Sequence, residues 1–216
     1  TSDLVALSDS GDSDTDNLTN DKTPTFALGN IDADADKVEV YNGTTLLGEA
    51  TQVDGVWTFT AAEGDLSEGA NALTVKVTDK AGNSDTSDAL QVTIDTVASA
   101  SITVDAIAGD DIVNAQDAQG TVTITGTVGG DANVDDTVTL TVNGKEYTGK
   151  VFADAEGKLV YSIDVQGSDL VADADSTIVA SGSGTDEAGN AFTATTEVSG
   201  DNKDGGYKVD TEISKP

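Results

Sequence analysis

Asp9-Ser10-Gly11-Asp12-Ser13-Asp14-Thr15-Asp16-Asn17-Leu18-Thr19-Asn20-Asp21 concentrates side-chain oxygens in one short stretch. Calcium takes roughly six to eight hard oxygen ligands, from carboxylates, amide oxygens and backbone carbonyls. Alternating Asp12, Asp14 and Asp16 can turn several carboxylates toward one centre, with Asp9, Asn20 and Asp21 at the ends of the loop. The stretch is similar to the start of an EF-hand loop. It lacks the bidentate Glu at the twelfth loop position and the flanking helices, so that family is rejected. A solvated acidic turn is the competing reading.

A counterpart follows at Asp110-Asp111-Ile112-Val113-Asn114-Ala115-Gln116-Asp117, where Ile112 and Val113 can anchor a loop whose oxygens at Asp110, Asp111, Asn114 and Asp117 face an ion. A third pattern occurs twice, as Asp79-Lys80-Ala81-Gly82-Asn83 and Asp186-Glu187-Ala188-Gly189-Asn190. Gly permits a turn with positive φ, Asn tolerates one, and both end residues supply oxygens. A plain hairpin turn explains each copy alone. Repetition beside an Asp-rich loop, expected at the same end of a sandwich, favours calcium at Asp79, Asn83, Asp186 and Asn190. Asp95 and Asp210 precede the exits of the two repeats, where an Asp can share an ion with neighbouring loops. The clusters Asp32/Asp34/Asp36, Asp131/Asp135/Asp136 and Asp173/Asp175 read as solvated turns.

The elements that must hold these loops are strands. Leu73-Thr74-Val75-Lys76-Val77 shows the alternation of a half-buried strand. Similar stretches are expected at 25–28, 37–41, 45–50, 56–60, 72–78 and 89–94, then at 101–107, 121–128, 137–142, 146–152, 159–165, 176–183, 192–198 and 207–210. Asn42-Gly43, Asp54-Gly55, Asn143-Gly144 and Glu156-Gly157 separate them as turns. No segment has a convincing helical period. Trp57 is the expected core anchor of the first repeat. Each copy closes on a strand ending in Asp-Thr, at Asp95-Thr96 and Asp210-Thr211. Asn83 to Asp95 is 12 positions and Asn190 to Asp210 is 20, so the second copy is expected to carry a longer last hairpin, tipped by Gly200 to Gly206. The reading is all-β: two tandem immunoglobulin-like antiparallel sandwiches over residues 1–95 and 96–216.

The chain of 216 residues carries 40 acidic residues against 10 basic ones, all Lys, for a net charge of -30. The split is 19 acids minus 4 Lys up to Asp95 and 21 minus 6 after it, so each repeat stands at -15. Such charge repels nucleic acid and anionic membrane, and crowded carboxylates need counter-ions that so few lysines cannot supply. Disorder is the rival reading of high charge and low aromatic content; the alternating apolar segments favour folding conditional on several bound calcium ions. There is no Cys and no His, which removes disulfides, thiolate sites and Ser-His-Asp or Cys-His catalysis. A two-carboxylate glycosidase remains open by composition, yet no aromatic-rich sugar cleft is in view, and no enzyme or small-molecule substrate is expected. No apolar run is long enough to span a membrane. The start Thr1-Ser2-Asp3 has neither Met nor a signal pattern and reads as cut from something longer.

Several phrases carry a family resemblance: Ser101-Ile102-Thr103-Val104-Asp105, Asp110 to Asp117, Gly126-Thr127-Val128-Gly129-Gly130-Asp131, Val138-Thr139-Leu140-Thr141-Val142-Asn143-Gly144-Lys145, Ser162-Ile163-Asp164-Val165 and Asp186 to Asn190, with Leu18 to Thr25 and Asp79 to Asn83 in the shorter first repeat. Together they resemble the bacterial immunoglobulin-like extender repeats of giant type I-secreted (RTX) adhesins, ice-binding and biofilm adhesins among them. The resemblance implies a monomeric, extracellular stalk segment at the bacterial surface, flanked by further immunoglobulin-like domains of the same chain. Calcium, scarce in the cytosol and abundant outside, would complete the fold after export. The alternative is a module of the same adhesin that itself binds ice, glycan or a cell surface. Thr123-Ile124-Thr125, Thr139-Leu140-Thr141 and Thr193-Ala194-Thr195 suggest such a face, but spaced Thr is also what a solvent-facing strand looks like.

Overall fold

The computed structural model describes residues 2–196 and 204–212. The chain divides into two compact units: one runs to Val97 and includes Glu187–Asn190, and the other takes Ala98–Asp186 and the chain from Ala191. Among the described residues no helix is long and apolar enough to cross a membrane.

The first unit contains β1 (Asp3–Leu4), β2 (Leu18–Thr19), β3 (Thr25–Leu28), β4 (Ala35–Asn42), β5 (Thr45–Glu49), β6 (Thr51–Val53), β7 (Val56–Thr60), β8 (Gly69–Asp79), β9 (Ser84–Thr86) and β10 (Leu90–Ile94). One sheet has the order β1-β3-β7-β6, the other β2-β10-β8-β4-β5 with β9 also on β8. Alternation does what period 2 requires: Leu73 and Val75 of β8 face inward beside Val38 and Val40 of β4, Val92 and Ile94 of β10, and Phe26 of β3. The core anchor differs from the expected one. Trp57 is only half-buried, whereas Phe26 is 1% exposed and stacks on Phe59 at 6.4 Å between centroids. Trp57 stands two residues from Phe59 along β7 and so shares its inward face, packing against the margin of this core rather than at its centre.

The second unit contains β11 (Ala100–Ile102), β12 (Ile112–Asn114), β13 (Thr121–Gly130), β14 (Thr137–Val142), β15 (Lys145–Lys150), β16 (Phe152–Ala153), β17 (Leu159–Gln166), the helix α1 (Gly167–Ala172), β18 (Val179–Thr185), β19 (Ala191–Thr195) and β20 (Lys208–Asp210). Its sheets run β11-β13-β17-β16 and β15-β14-β18-β19, with β12 and β20 paired separately. Val122, Ile124, Val138, Leu140, Tyr161 and Val165 build the core. Gly126 belongs where it is: a Cβ there would strike the Thr103 carbonyl and the Tyr161 ring. The Asn143-Gly144 hairpin forms as expected, with φ of 48° and 70°.

Three expectations need correction. Six residues from Gly167 form a helix too short to leave a period in the sequence. Short strands β2 and β12 lie inside the two Asp-rich stretches and pair in parallel with the last strands, β10 and β20. Finally, β19 and β20 do not form a hairpin: β19 pairs with β18 and β20 with β12. Of the expected hairpin tip, Gly200 to Lys203 fall outside the described residues. On the described side of that stretch, Asp204 accepts the Val104 N–H at 3.1 Å and Gly205 accepts the Ile178 N–H at 2.9 Å. The first unit interrupts its last strand in a smaller way, with Ser87–Ala89 between β9 and β10.

Candidate cation-binding loops

The acidic loop of the first unit is held by hydroxyls. Thr19 is fully buried; its hydroxyl donates to the Ser8 carbonyl at 2.6 Å and accepts the Asp21 N–H at 3.0 Å. Ser8 Oγ accepts the Thr25 N–H at 2.9 Å, and Ser10 Oγ accepts the Asn20 N–H at 2.8 Å. Small hydroxyl residues suit this work because they satisfy backbone groups that neither sheet reaches. Within the same unit, Ser10 Oγ donates to the Ala188 carbonyl at 2.7 Å and Asp12 N–H to the Glu187 carbonyl at 3.2 Å. The Asn190 side-chain amide donates to the Asp95 carbonyl at 2.8 Å. Gly11, at φ 94°, sits against Glu187 so closely that no Cβ would fit.

The predicted ligands play unequal parts in this loop. Asp9 is 5% exposed; Oδ2 accepts the Asn17 N–H at 3.3 Å, and Oδ1 has no partner. Burial pushes its carboxyl above the ordinary value, against the Asn17 hydrogen bond, and the charges of Asp16, Asp3 and Asp14 push the same way. Asp16 Oδ1 caps the Leu18 N–H at 3.0 Å, and Asn17, in a left-handed conformation, accepts the Leu4 N–H at 3.2 Å. Asp21 instead closes its own turn, accepting the Thr23 N–H at 2.8 Å. Asp12 and Asp14 are exposed. Sequence reasoning missed Asp3, whose charge faces Asp9 from β1 rather than from the loop. A carboxylate at a strand end, ahead of buried Leu4, was the available signal.

In the second unit the loop is tied to itself. Asp110 Oδ1 accepts the Ile112 N–H at 3.0 Å, and Asp111 Oδ1 accepts the Ile107 N–H at 2.8 Å. Asn114 Oδ1 takes the N–H groups of Gln116 and Asp117, and Asp117 Oδ2 returns to the Asn114 N–H at 3.0 Å. These are the bonds of tight turns. They leave lone pairs over, since a carboxylate offers about four acceptor positions.

Asp79 and Asn83 form a self-contained turn. Asp79 Oδ1 accepts the N–H groups of Ala81 and Asn83, each at 2.8 Å, and Oδ2 accepts the Asn83 amide at 2.7 Å. These donors hold its carboxyl below the ordinary range, the Asn83 side chain first. The register also separates it from the acidic loop, contrary to the expected shared end. Gly69 of β8 pairs with Ile94, next to the β2–β10 contact at Leu18–Thr19, while Asp79 ends β8 at the far side. In the second unit, β18 likewise leads from the neighbourhood of Gly206 at Thr177 to Asp186 beyond its other end. Asp186 is buried and Asp210 is exposed. Asp95 caps the Val97 N–H at 3.2 Å.

Two clusters read as solvated turns are more engaged than that. Asp173 is buried and accepts the Tyr207 hydroxyl at 3.1 Å and the Thr177 N–H at 3.2 Å. Asp131 accepts the Ser99 N–H at 2.8 Å. Counter-charge from the protein is sparse. Among the described residues, ion pairs join Lys37 to Glu39 and Glu49, and Lys145 to Asp169, which pushes Lys145 up to about 12. Among the described residues no three acidic side chains converge closely enough to hold a metal ion by themselves. Any ion here must also draw on carbonyl and amide oxygens or move exposed carboxylates inward. Apart from these loops, the first unit has a cleft of about 700 Å³ lined by Phe26, Leu28, Ile31, Val77 and Leu90, with Asp79 and Asp88 at its border.

The bacterial immunoglobulin-like domain family matches residues 1–96. A solved structure of a 1.5-MDa bacterial ice-binding adhesin, studied for host cell surface retention, is 34% identical at a TM-score of 0.60, covering 94% of this chain and 63% of its own. A Ca2+-stabilized adhesin of an Antarctic bacterium that binds ice is 33% identical at a TM-score of 0.55, covering 98% of this chain and 49% of its own. A single immunoglobulin-like domain from the M. primoryensis ice-binding adhesin is 40% identical over its full length and 53% of this chain, at a TM-score of 0.43. The chain thus spans less than two thirds of the first and about half of the second. No curated protein sequence matches it.

Proposed function

The chain belongs to the bacterial immunoglobulin-like domain family, and from there we propose that it is a calcium-stiffened extender segment of a bacterial surface adhesin, built of two tandem immunoglobulin-like sandwiches. The observation that carries this reading is one acidic turn made twice. Asp16 and Asp110 each accept the N–H two residues ahead at 3.0 Å. The residues that follow, Asn17 and Asp111, are left-handed at φ 59° and 60°. Each turn then enters a short strand laid parallel to the last strand of its unit. The same device recurring around separate cores is what a string of repeated modules requires.

Charge supports the calcium part. With -30 on 216 residues and two lysines in ion pairs among the described residues, loop carboxylates rely on mobile ions. The donors are all oxygen, the chemistry that suits calcium and disfavours zinc or copper. Calcium supplies charge neutralisation and ties loop to strand. The chain's own part is to present Asp9, Asp12, Asp14, Asp16, Asn20 and Asp21 in the first loop and Asp110, Asp111, Asn114 and Asp117 in the second. Asp79, Asn83, Asp95, Asp186, Asn190 and Asp210 are the remaining donors. The natural partners are neighbouring modules of the same surface protein, which act outside the cell after secretion, and no catalytic step is assigned.

Thermal melting and circular dichroism with calcium and with EDTA test the stiffening. Calcium is expected to raise the melting temperature, and identical curves would end the calcium reading. Retention assays on ice, polysaccharide and cells test the spacer role. Specific retention at low protein concentration would replace it with a ligand-binding module of the same adhesin.

A further inference from the structure

The cleft of the first unit lies where its two sheets fail to close over the core. One wall is β3, which β1 pairs only at Phe26 and Ala27, so that Leu28 and the chain on to Ile31 have no strand on that side. The opposite wall is β9, which pairs with β8 alone. Leu90 stands opposite Leu73 and Thr86 opposite Lys76, so residues 87–89 face only two residues of β8. Such a bulge bends a strand out of line, and residues 83–89 are all exposed. Past the bulge, Asp85 comes opposite Val77, and a carboxylate stands where the alternation of Leu90, Val92 and Ile94 would set an apolar side chain. The space left is about 700 Å³, floored by Phe26, Leu28, Ile31, Val75, Val77 and Leu90, of which Ile31, Val77 and Leu90 are only half-buried. That volume falls within the roughly 300–1,000 Å³ of ligand sites.

We propose that this groove takes an extended peptide segment of alternating apolar and basic residues, added as a strand against β9. Strand addition draws affinity from main-chain bonds along a free edge and specificity from pockets for alternate side chains. Both are present. Ser87 N–H turns toward β8 and donates to the Val75 carbonyl at 2.9 Å. Thr86 N–H, one residue earlier, points the opposite way, off the edge, and is taken at 2.9 Å by Oδ1 of its neighbour Asp85. A carbonyl of an incoming strand can replace that oxygen. Every second side chain of the segment then reaches the half-buried Ile31, Val77 and Leu90, and the side chains between them meet the rim. Charge decides what those are. Asp32, Asp34, Asp79, Asp85 and Asp88 line the groove, and among the described residues no lysine does. A second copy of this chain, at a net charge of -30, is repelled, whereas a segment carrying Lys or Arg is drawn in. Asp85 and Asp88 on the edge thereby guard it against pairing with acidic sister modules. The groove lies within the first unit. This role goes beyond that of a spacer, and Asp85 and Asp88 are outside the proposed calcium donors.

Fluorescence anisotropy tests it, with the whole 216-residue chain in calcium-containing buffer and a labelled peptide that alternates valine and lysine. One control peptide has the same composition with its valines and lysines in separate blocks, and another alternates valine and glutamate. The alternating valine–lysine peptide is expected to bind about tenfold more tightly than either control, or better. Asp85→Lys combined with Asp88→Lys changes exposed residues only, so the melting temperature should hold while affinity for that peptide falls about tenfold. Thr86→Pro removes the edge N–H, keeps the Ser87 bond to β8, and should weaken binding by a similar factor. Equal binding of the block peptide would reduce the attraction to net charge and overturn the proposal. So would unchanged affinity in both variants, or an alternating valine–lysine peptide that does not bind. Any of these results leaves the calcium-stiffened extender reading standing, because that reading is judged by melting with calcium and with EDTA.

Discussion

Thr19→Val tests whether the acidic loop is held by a buried hydroxyl rather than by its charges. The swap keeps the side-chain volume and removes the oxygen, which is why it is not conservative in a core. In the parent, that oxygen donates to the Ser8 carbonyl at 2.6 Å and accepts the Asp21 N–H at 3.0 Å, at a site that is fully buried. Valine leaves both backbone groups without their partner. Each unsatisfied buried group costs about 1–3 kcal/mol. Asp21 is only half-buried and water can serve its N–H, so the lower end applies to that group. The sum is about 2–4 kcal/mol. For a domain of about 100 residues, 1 kcal/mol moves the melting temperature by about 4–8 °C, so a fall of roughly 8–32 °C in the first unit's transition is expected. Differential scanning calorimetry in EDTA reads it, with Thr19→Ser as the control that keeps the hydroxyl. A Thr19→Val transition within about 0.5 kcal/mol of the parent, or a Thr19→Ser protein as damaged as the valine variant, would refute the reasoning.

Other outcomes follow from the same geometry. Gly144→Ala places a side chain at φ 70° in the β14–β15 hairpin and is expected to cost about 1–2 kcal/mol by chemical denaturation. Tyr147→Phe removes the hydroxyl that donates to Asp169 of α1, and about 1–2 kcal/mol should be lost, with faster amide exchange across Gly167–Ala172. Asp79 and Asp169 are both held below the ordinary carboxylate value, Asp79 by Asn83 and Asp169 by Lys145 and Tyr147. A depressed folded pKa gives stability that is present above the unfolded value of 3.8 and lost as pH falls through the folded one. Carboxyl NMR titration should therefore place both midpoints below 3.8, and acid destabilisation below that pH should be weaker in Asp79→Asn.

Much of the strand content was legible because alternation is a local signal. Leu73 to Val77 and Val138 to Val142 face the core as their pattern requires, and Asn143-Gly144 turns as its residue types require. Trp57 misled because size suggests a core anchor, whereas it shares the inward face of β7 with Phe59 and is left half-exposed at the margin of the core. Strands β2 and β12 were hidden because two or three residues carry no period and take their pairing from distant segments, residues 93–94 and 208–210.

The candidate site divides in the same way. Composition and spacing by themselves determined that this chain is acidic, oxygen-rich in its loops and without nitrogen or sulfur ligands, since those properties belong to residue types. Tertiary structure alone decided which acids matter. Asp9 and Asp21 look equivalent in the sequence, yet one is buried with an unmatched oxygen and the other is capped by Thr23. Asp79 lies at the far end of β8 from the acidic loop, and Asp3 faces Asp9 from a separate strand. Burial and proximity are set by how strands pair across the fold, and no short stretch of sequence encodes that on its own.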